Sequence, residues 1–454
     1  MKKIYFILTL FVAIVISSCE DFLDQQPSSA ISSEEYYQND EEVESGVIAC
    51  YDGLQYMYNE TWAFVLMEIR SDNTTTVTHQ GDVDLVDKFM DDADNTLLSE
   101  YWSAAYNTIF RTNTVLASID NVTLESNKNQ YEGEAKFIRA LNYFNMVRMF
   151  GEIPLVTSIA YVGNYEAYTK ATVDEVYDAI ISDLQDASIL LPDSYGDNDL
   201  GRATSGAAIG LLAKVYLTLQ DYTNAESLLT QLMGSPYSYS IISDYHDVFY
   251  DEMNDEIIFA VRYESGVGDE GEWYSYEMTM MGGKIRGNNP TDDLLASYET
   301  GDLRYDVSVT SGDLMCGKYL SDGSQYDAEN DWIVLRYADV VLMYAEVENE
   351  LYGPTQAAID AINPLRVRAG LTTFNLADYD QTSFREEIAH ERRIELAMEN
   401  HRWFDLLRTG KVEEVMTAHS TAEGLSYESY HNLYPIPQRE IDASEGYLTQ
   451  NPGY

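Results

Sequence analysis

The sequence predicts a mainly α protein: a superhelix of stacked helical pairs that carries a loop-rich, minor-β lobe. Three observations predict this. Residues 384–408 contain no Gly or Pro and are dominated by strong helix formers. Residues 206–233 alternate small residues and rings at helical spacing, the pattern of two helices in close approach. Residues 236–330 change texture: a β-branched run, EIIFAVRY, is followed by a stretch rich in Gly, Met and aromatics with no helical period.

In chain order, Lys2 and Lys3 precede an apolar run from Ile4 to Ile16, then Ser17, Ser18 and Cys19. The run is too short to span a bilayer and has the layout of a signal peptide over residues 1–18. Residues 19–33, polar and broken by Pro27, read as a tether. Ser32 or Ser33 can cap a helix over 34–58. A loop rich in short polar side chains runs from Arg70 to Gly81. Helices are expected over 98–119, over 132–150, where Gly151 and Pro154 stop it, and over 172–191. In 206–233, Ala207, Gly210, Leu211, Ala213, Tyr216, Leu217, Asp221, Tyr222, Ala225 and Leu228 look like one tetratricopeptide unit. Degenerate tetratricopeptide-like pairs stacked on one another are the natural way to bury such faces. Residues 256–263 read as a strand and 264–290 as loop. Residues 334–352 and 354–369 return to helix, and Pro435 and Pro437 hold the tail extended. The expected organisation is therefore a helical region over 34–235, a loop-rich ligand-binding region over 236–333, and a second helical region with its tail over 334–454.

The stretch from 384 to 410, FREEIAHERRIELAMENHRWFDLLRTG, organises the rest. At about 100° per residue its apolar side chains point all round the helix, which marks a buried element. Glu391, Glu395, Glu399, Arg392 and Arg402 nevertheless share one arc. They form either an ion-pair network or a pair of catalytic glutamates. A carboxylate beside arginine stays ionised, whereas a general acid needs the opposite surroundings, so pairing is the expectation.

The same stretch resembles the C-terminal signature of the SusD/RagB family of outer-membrane nutrient-binding lipoproteins, through Glu391, Arg392, Arg393, Glu395, Leu396, Glu399, Arg402, Trp403, Asp405, Leu406, Arg408 and Gly410. Asn400 stands where the family usually has glycine, and Asn tolerates a left-handed backbone, so a helix break is expected there. Three further stretches resemble the family: AKFIRALNYFNMVRMFGEIPLV, RYADVVLMYAEVENE with AINPLRVRAGL, and the closing LYPIPQREIDASEGYLTQNPGY, which lacks the usual Asn-Pro after its Ile-Asp pair. The resemblance implies lipidation of Cys19, anchorage in the outer membrane facing the cell exterior, and binding of glycan without catalysis. It also implies delivery to a SusC-like TonB-dependent transporter.

Composition sets the chemistry. Formal charge is −50 over 454 residues, a balance that repels nucleic acid and anionic headgroups. Cys19, Cys50 and Cys316 form no CxxC, and a Cys50–Cys316 bridge is allowed but not implied. Gly266, Gly268 and Gly271 spell GxGxxG after a strand, but acids and Trp273 follow instead of a helix N-terminus, so no dinucleotide site is expected. Asp91, Asp92 and Asp94 lack the glycine and glutamate of a calcium loop. No metal and no cofactor is expected. A sugar has an apolar C–H face on which rings stack and a hydroxyl edge that Asp, Asn, Arg and His bond. The candidate ligand residues are Trp273, Tyr274 and Tyr276 from the ring-rich loop, with Asp72, Asn73 and His79 from the polar loop. Tyr326, Trp332, Arg286 and Asn288 come next. Peptide capture by the same fold and a glycoside hydrolase are the alternatives, the second needing a carboxylate of raised pKa that nothing in the sequence singles out.

Overall fold

The structure is a computed structural model that describes residues 37–59, 61–76, 81–161, 163–279, 287–310, 314–320 and 326–454. The signal segment, Cys19 and the tether therefore lie outside the described residues, as do His79 and Arg286.

The fold is mainly α, and helices stack in sequence order. The first, α1 (Asp40–Asn59), buries Val43, Val47, Cys50, Leu54 and Met57 along one stripe. It packs on α2 (Thr96–Ser118), which Asn95 caps by accepting from the Leu97 N–H. The approach is close: a Cβ at Gly53 would stand 2.4 Å from Thr108 Oγ1. Helix α3 (Glu125–Phe150) is buried on every side over its C-terminal half and forms the hub. Helix α4 (Val173–Leu190) opens on a capping box in which Thr172 and Glu175 exchange hydrogen bonds. Then come α5 (Ser205–Thr218), capped by Thr204, and α6 (Tyr222–Leu232), capped by Asp221. These two are the pair expected from 206–233, and α7 (Tyr337–Tyr352) with α8 (Gln356–Arg368) continues the stack.

Strands are few. Ile257–Val261 pairs antiparallel with Trp332–Arg336. Thr74–Thr75 pairs with Asn289–Pro290, and Ile153–Pro154 with Lys170–Ala171. Several expectations need correction. The helix expected over 34–58 begins at Asp40, with residues 37–39 non-helical, and the tail expected to stay extended forms a short helix over Gln438–Ala443 directly after Pro437. Residues 332–336 were expected to lead straight into helix from 334; they form a strand, because their short apolar run fits either period and Ile257–Val261 offers a partner. Tyr274–Met278 was expected as loop and forms one short helix, all of it buried.

The organising stretch is two helices, α9 (Gln381–Glu395) and α10 (Arg402–Arg408). The break falls at Met398 and Asn400, whose φ angles are 67° and 65°. Helix α11 (Val412–Glu423) follows. Cys50 and Cys316 are both free and buried, and burial pushes their thiols up to about 12 and about 11. Among the described residues no helix is long and apolar enough to cross a membrane.

The family-like arginines and glutamates form a buried ionic lattice. Arg336 donates to Glu395 Oε1 at 2.7 Å, to Glu256 Oε1 at 2.8 Å and to Glu399 Oε2 at 2.8 Å. Arg368 donates to Glu256 Oε2 at 2.7 Å and also bonds Glu395. Arg304 reaches Glu395 at 3.1 Å and bonds Glu391. A second cluster joins Arg392 to Asp339 and Asp405, with Lys214 at 3.0 Å from Asp339. Burial alone would raise the Glu395 carboxyl, but Arg368, Arg336 and Arg304 outweigh it and hold it well below the usual range. The pairing expectation therefore holds for these glutamates: they are ion-paired fasteners between the Trp332–Arg336 strand, α8 and α9.

Candidate functional site

The last turns of α1 carry the surface on which the ring-rich loop sits. Gln55 Nε2 donates to the Arg262 carbonyl and to Glu270 Oε2, each at 2.8 Å, and the Tyr263 hydroxyl donates to the Gln55 carbonyl at 2.8 Å. Asn59 Nδ2 donates to the Gly271 carbonyl at 3.1 Å, and Asn59 Oδ1 accepts from the Trp273 N–H. Gly271 is required where it is: a Cβ there would meet the Asp327 Cα at 2.4 Å. That closeness lets Glu272 and Ala328 exchange backbone hydrogen bonds of 2.8 and 3.2 Å. Residues 263–273 and 326–330 are thus stapled to each other and to α1.

The staple places Trp273 against Tyr326, with ring centroids 4.9 Å apart and tilted by 53°. Trp273 is half-buried and Tyr326 is 61% exposed. One helical turn before Asn59, Tyr56 is 50% exposed and packs edge-on against Trp62 at 5.4 Å. Trp273 Nε1 has no hydrogen-bond partner among the described residues. Glu270 and Asp327 are exposed nearby. Rings partly exposed to solvent, held beside amide and carboxylate groups, can stack on the C–H face of a sugar and bond its hydroxyls.

Of the other expected residues, Tyr274 has no exposed surface; its hydroxyl donates to the Asn330 carbonyl at 2.6 Å and its ring packs on Trp332, Tyr319 and Tyr263. Tyr276 and Trp332 are buried as well. These rings hold the lobe together and offer no face to a ligand in this conformation. Asp72 is a buried ion-pair partner: Arg402 donates to its two oxygens at 2.7 and 2.8 Å, and Arg393 lies at 3.0 Å. Burial works to raise its carboxyl, and the two arginines overcome this and lower it. Asn73 donates to Glu68 Oε1 at 3.2 Å and accepts from Arg393 Nε at 2.9 Å. Both residues are spent on fastening the polar loop to α9 and α10. Asn288 is buried too. The structure thus brings Trp273 together with Tyr326, and does not bring either of them to Asp72 or Asn73.

Tyr56 and Asn59 were missed. A signal existed, because Tyr56 falls outside the 43, 47, 50, 54, 57 stripe and is an aromatic on the polar face of an amphipathic helix. Among the described residues no group of acids, histidines and cysteines is placed to hold a metal.

A family model described as "SusD family" matches residues 261–454, and one described as "Starch-binding associating with outer membrane" matches residues 21–217. Between them they match more than half of the chain. A SusD-like protein of Formosa agariphila is 29% identical over 466 residues, covering 88% of this chain and 90% of its own. A solved laminarin binding SusD-like protein superimposes with a TM-score of 0.79 at 26% identity, over 92% of this chain and 100% of that one. A SusD superfamily protein from Parabacteroides distasonis gives a TM-score of 0.79 at 25% identity, over 94% and 100% of the two chains.

Proposed function

The chain belongs to the SusD family, and on that premise we propose that it is a surface lipoprotein that grips an uncharged glycan and passes it, chemically intact, to a SusC-like TonB-dependent transporter of the outer membrane. The observation that carries the glycan reading is the Trp273–Tyr326 ring pair on the edge of a stapled loop. The relative whose printed name is laminarin binding supports the ligand class. The charge of −50 works against anionic glycans and leaves neutral ones. No step of bond cleavage is assigned to Glu395 or Glu399, whose carboxyls are lowered and ion-paired, unlike a general acid.

Calorimetry with laminarin, soluble starch, galactomannan and arabinoxylan tests the reading, alongside a cationic peptide that would be held if the ligand were peptide. One neutral glycan is expected to bind, and Trp273→Ala to weaken it by more than tenfold, at least about 1.4 kcal/mol, with an unchanged melting temperature. Binding of the peptide alone would replace glycan with peptide. Lipidation of Cys19 is tested separately: Cys19→Ala is expected to move the protein from the membrane fraction to the soluble one, and unchanged fractionation would reject the anchor.

A further inference from the structure

A cleft of about 590 Å³ opens on the far side of α2 from α1. The side of α2 that meets α1 is marked by Thr108, against Gly53, and by Arg111, which donates to the Ala49 carbonyl at 2.5 Å. The cleft lies along Ser103, Tyr106, Asn107 and Phe110, the opposite stripe of the same helix. Its other wall is formed by residues from 154–161 and 163–168. That wall is clamped from beneath. Tyr106 donates to the Pro154 carbonyl at 2.7 Å, Tyr143 to the Val156 carbonyl at 2.9 Å, and Asn113 Nδ2 to the carbonyls of Val156 and Ser158 at 2.9 and 3.2 Å. Asn113 is in turn held by Arg139, at 2.8 Å, and Arg139 pairs with Asp183 through two 2.8 Å bonds. The cleft thus lies between α2 and a segment whose first part, Pro154 to Ser158, is hydrogen-bonded to α2 and α3.

Its lining is specific. Six rings face it: Trp102, Tyr106, Phe110, Tyr161, Tyr165 and Tyr168. Trp102 is fixed at the back, edge-on to Phe150 at 5.0 Å. Tyr165 and Tyr168 stack with centroids 6.5 Å apart, while Phe110 and Tyr161 are 47% and 68% exposed at the rim. No Lys, Arg or His is among the described lining residues. Glu440 enters from the tail, partly buried, and its carboxylate accepts no hydrogen bond from the described residues. Asn107 accepts from Arg111 Nε at 2.9 Å, which leaves its amide N–H groups for a ligand. The volume is that of a small-molecule pocket, about 300–1,000 Å³. An anion would find no counter-charge here. A sugar would find ring faces for its C–H groups, an acceptor for its hydroxyls in Glu440 and a donor in Asn107.

We propose that this cleft is a second saccharide-binding site, taking a short run of uncharged sugar units from the same polysaccharide whose other part rests on the Trp273–Tyr326 surface. The proposal rests on the glycan-binding reading above. With α2 between the two sites, only a long chain engages both, and the second contact then forms at a raised effective concentration.

The test is calorimetry of the full chain with a hexasaccharide and with the parent polymer, for each of the four neutral glycans named above. The variants are Trp273→Ala, Tyr161→Ala and Glu440→Gln, each on the surface or partly exposed. The hexasaccharide that binds is expected to fill two sites per chain. Trp273→Ala and Tyr161→Ala should each leave one, and each should weaken the polymer more than tenfold. Glu440→Gln should weaken only the site that survives in Trp273→Ala. A single hexasaccharide site, lost in Trp273→Ala and indifferent to Tyr161→Ala and Glu440→Gln, would overturn the second site while leaving the first. Absence of binding by every glycan to the unaltered chain would overturn both.

Discussion

Glu395 shows how a residue of apparently catalytic type becomes structural. It has no exposed surface, and its oxygens and carbonyl are contacted by Arg336, Arg368, Arg304, Tyr245 and Lys318. Replacing a buried ion lattice wholesale can be neutral, but removing one partner strands the other charges. Glu395→Gln is therefore expected to lower unfolding free energy by about 3–5 kcal/mol, read from chemical denaturation; a loss under about 1 kcal/mol would contradict the lattice. At the same scale, Trp273 was legible from sequence as a ring in an irregular loop, while Tyr274 next to it was not separable from it. Adjacent residues point in different directions, and only the packing of Trp332 and Tyr319 decides which ring is sealed. Asp72 and Asn73 were unreadable for a different reason. A short polar residue in a loop looks the same whether it meets ligand or arginine, and Arg393 and Arg402 are more than 300 positions away.

Among the elements, long helices with caps were plain in the sequence. Thr172 announces its helix by local chemistry alone, and the structure adds Thr204 and Asp221 as the caps of the next two. The strand Trp332–Arg336 was not plain, since its identity depends on Ile257–Val261, some 70 residues earlier. The break between α9 and α10 was foreseen at Asn400, and the structure adds Met398 as a second left-handed residue. Glu68 explains why it persists: its carboxyl accepts from the Met398 N–H at 3.0 Å and the Asn400 N–H at 2.8 Å, so the turn closes over a buried acceptor. The α1–α2 contact makes its own prediction. Gly53→Ala places a methyl against Thr108 in a packed interface, and overpacking of this kind costs about 1–3 kcal/mol. A measurable fall in melting temperature is expected, rescued in part by Thr108→Ala; an unchanged melt would show that the helices separate freely.

For the whole molecule, titration behaviour follows from which charges the fold buries. Asp339, Glu395, Glu399, Asp405 and Asp72 resist burial's upward push because arginines and Lys214 or Lys318 stand against them, and all are lowered. A depressed folded carboxyl contributes stability above its unfolded value, about 4 to 4.5, and loses it as pH falls below. His401 and His431, lowered by burial to about 3 and about 4, add a loss that begins near 6.5 as the unfolded state takes up protons first. Glu68 and Asp331, raised by burial to about 7, and Asp87, raised by burial to about 6, work the other way as pH falls from about 7 to about 4 and offset the histidines. The melting temperature is expected to change little from pH 7 to 5 and to fall steeply below 4.5. A flat profile to pH 3 would contradict the buried pairing. The stacked scaffold thus spends its charges on rigidity and leaves a stapled ring surface outside.

The measurement that tests this most directly is retention of a neutral polysaccharide in native gels, comparing the unaltered chain with the Trp273→Ala/Tyr326→Ala pair, followed by sizing of the glycan recovered. The account predicts that the unaltered chain is slowed by one glycan, that the double variant weakens this hold more than tenfold with the same melting temperature, and that the glycan returns at full length. Undiminished retention by the double variant, or shortened glycan, would contradict it.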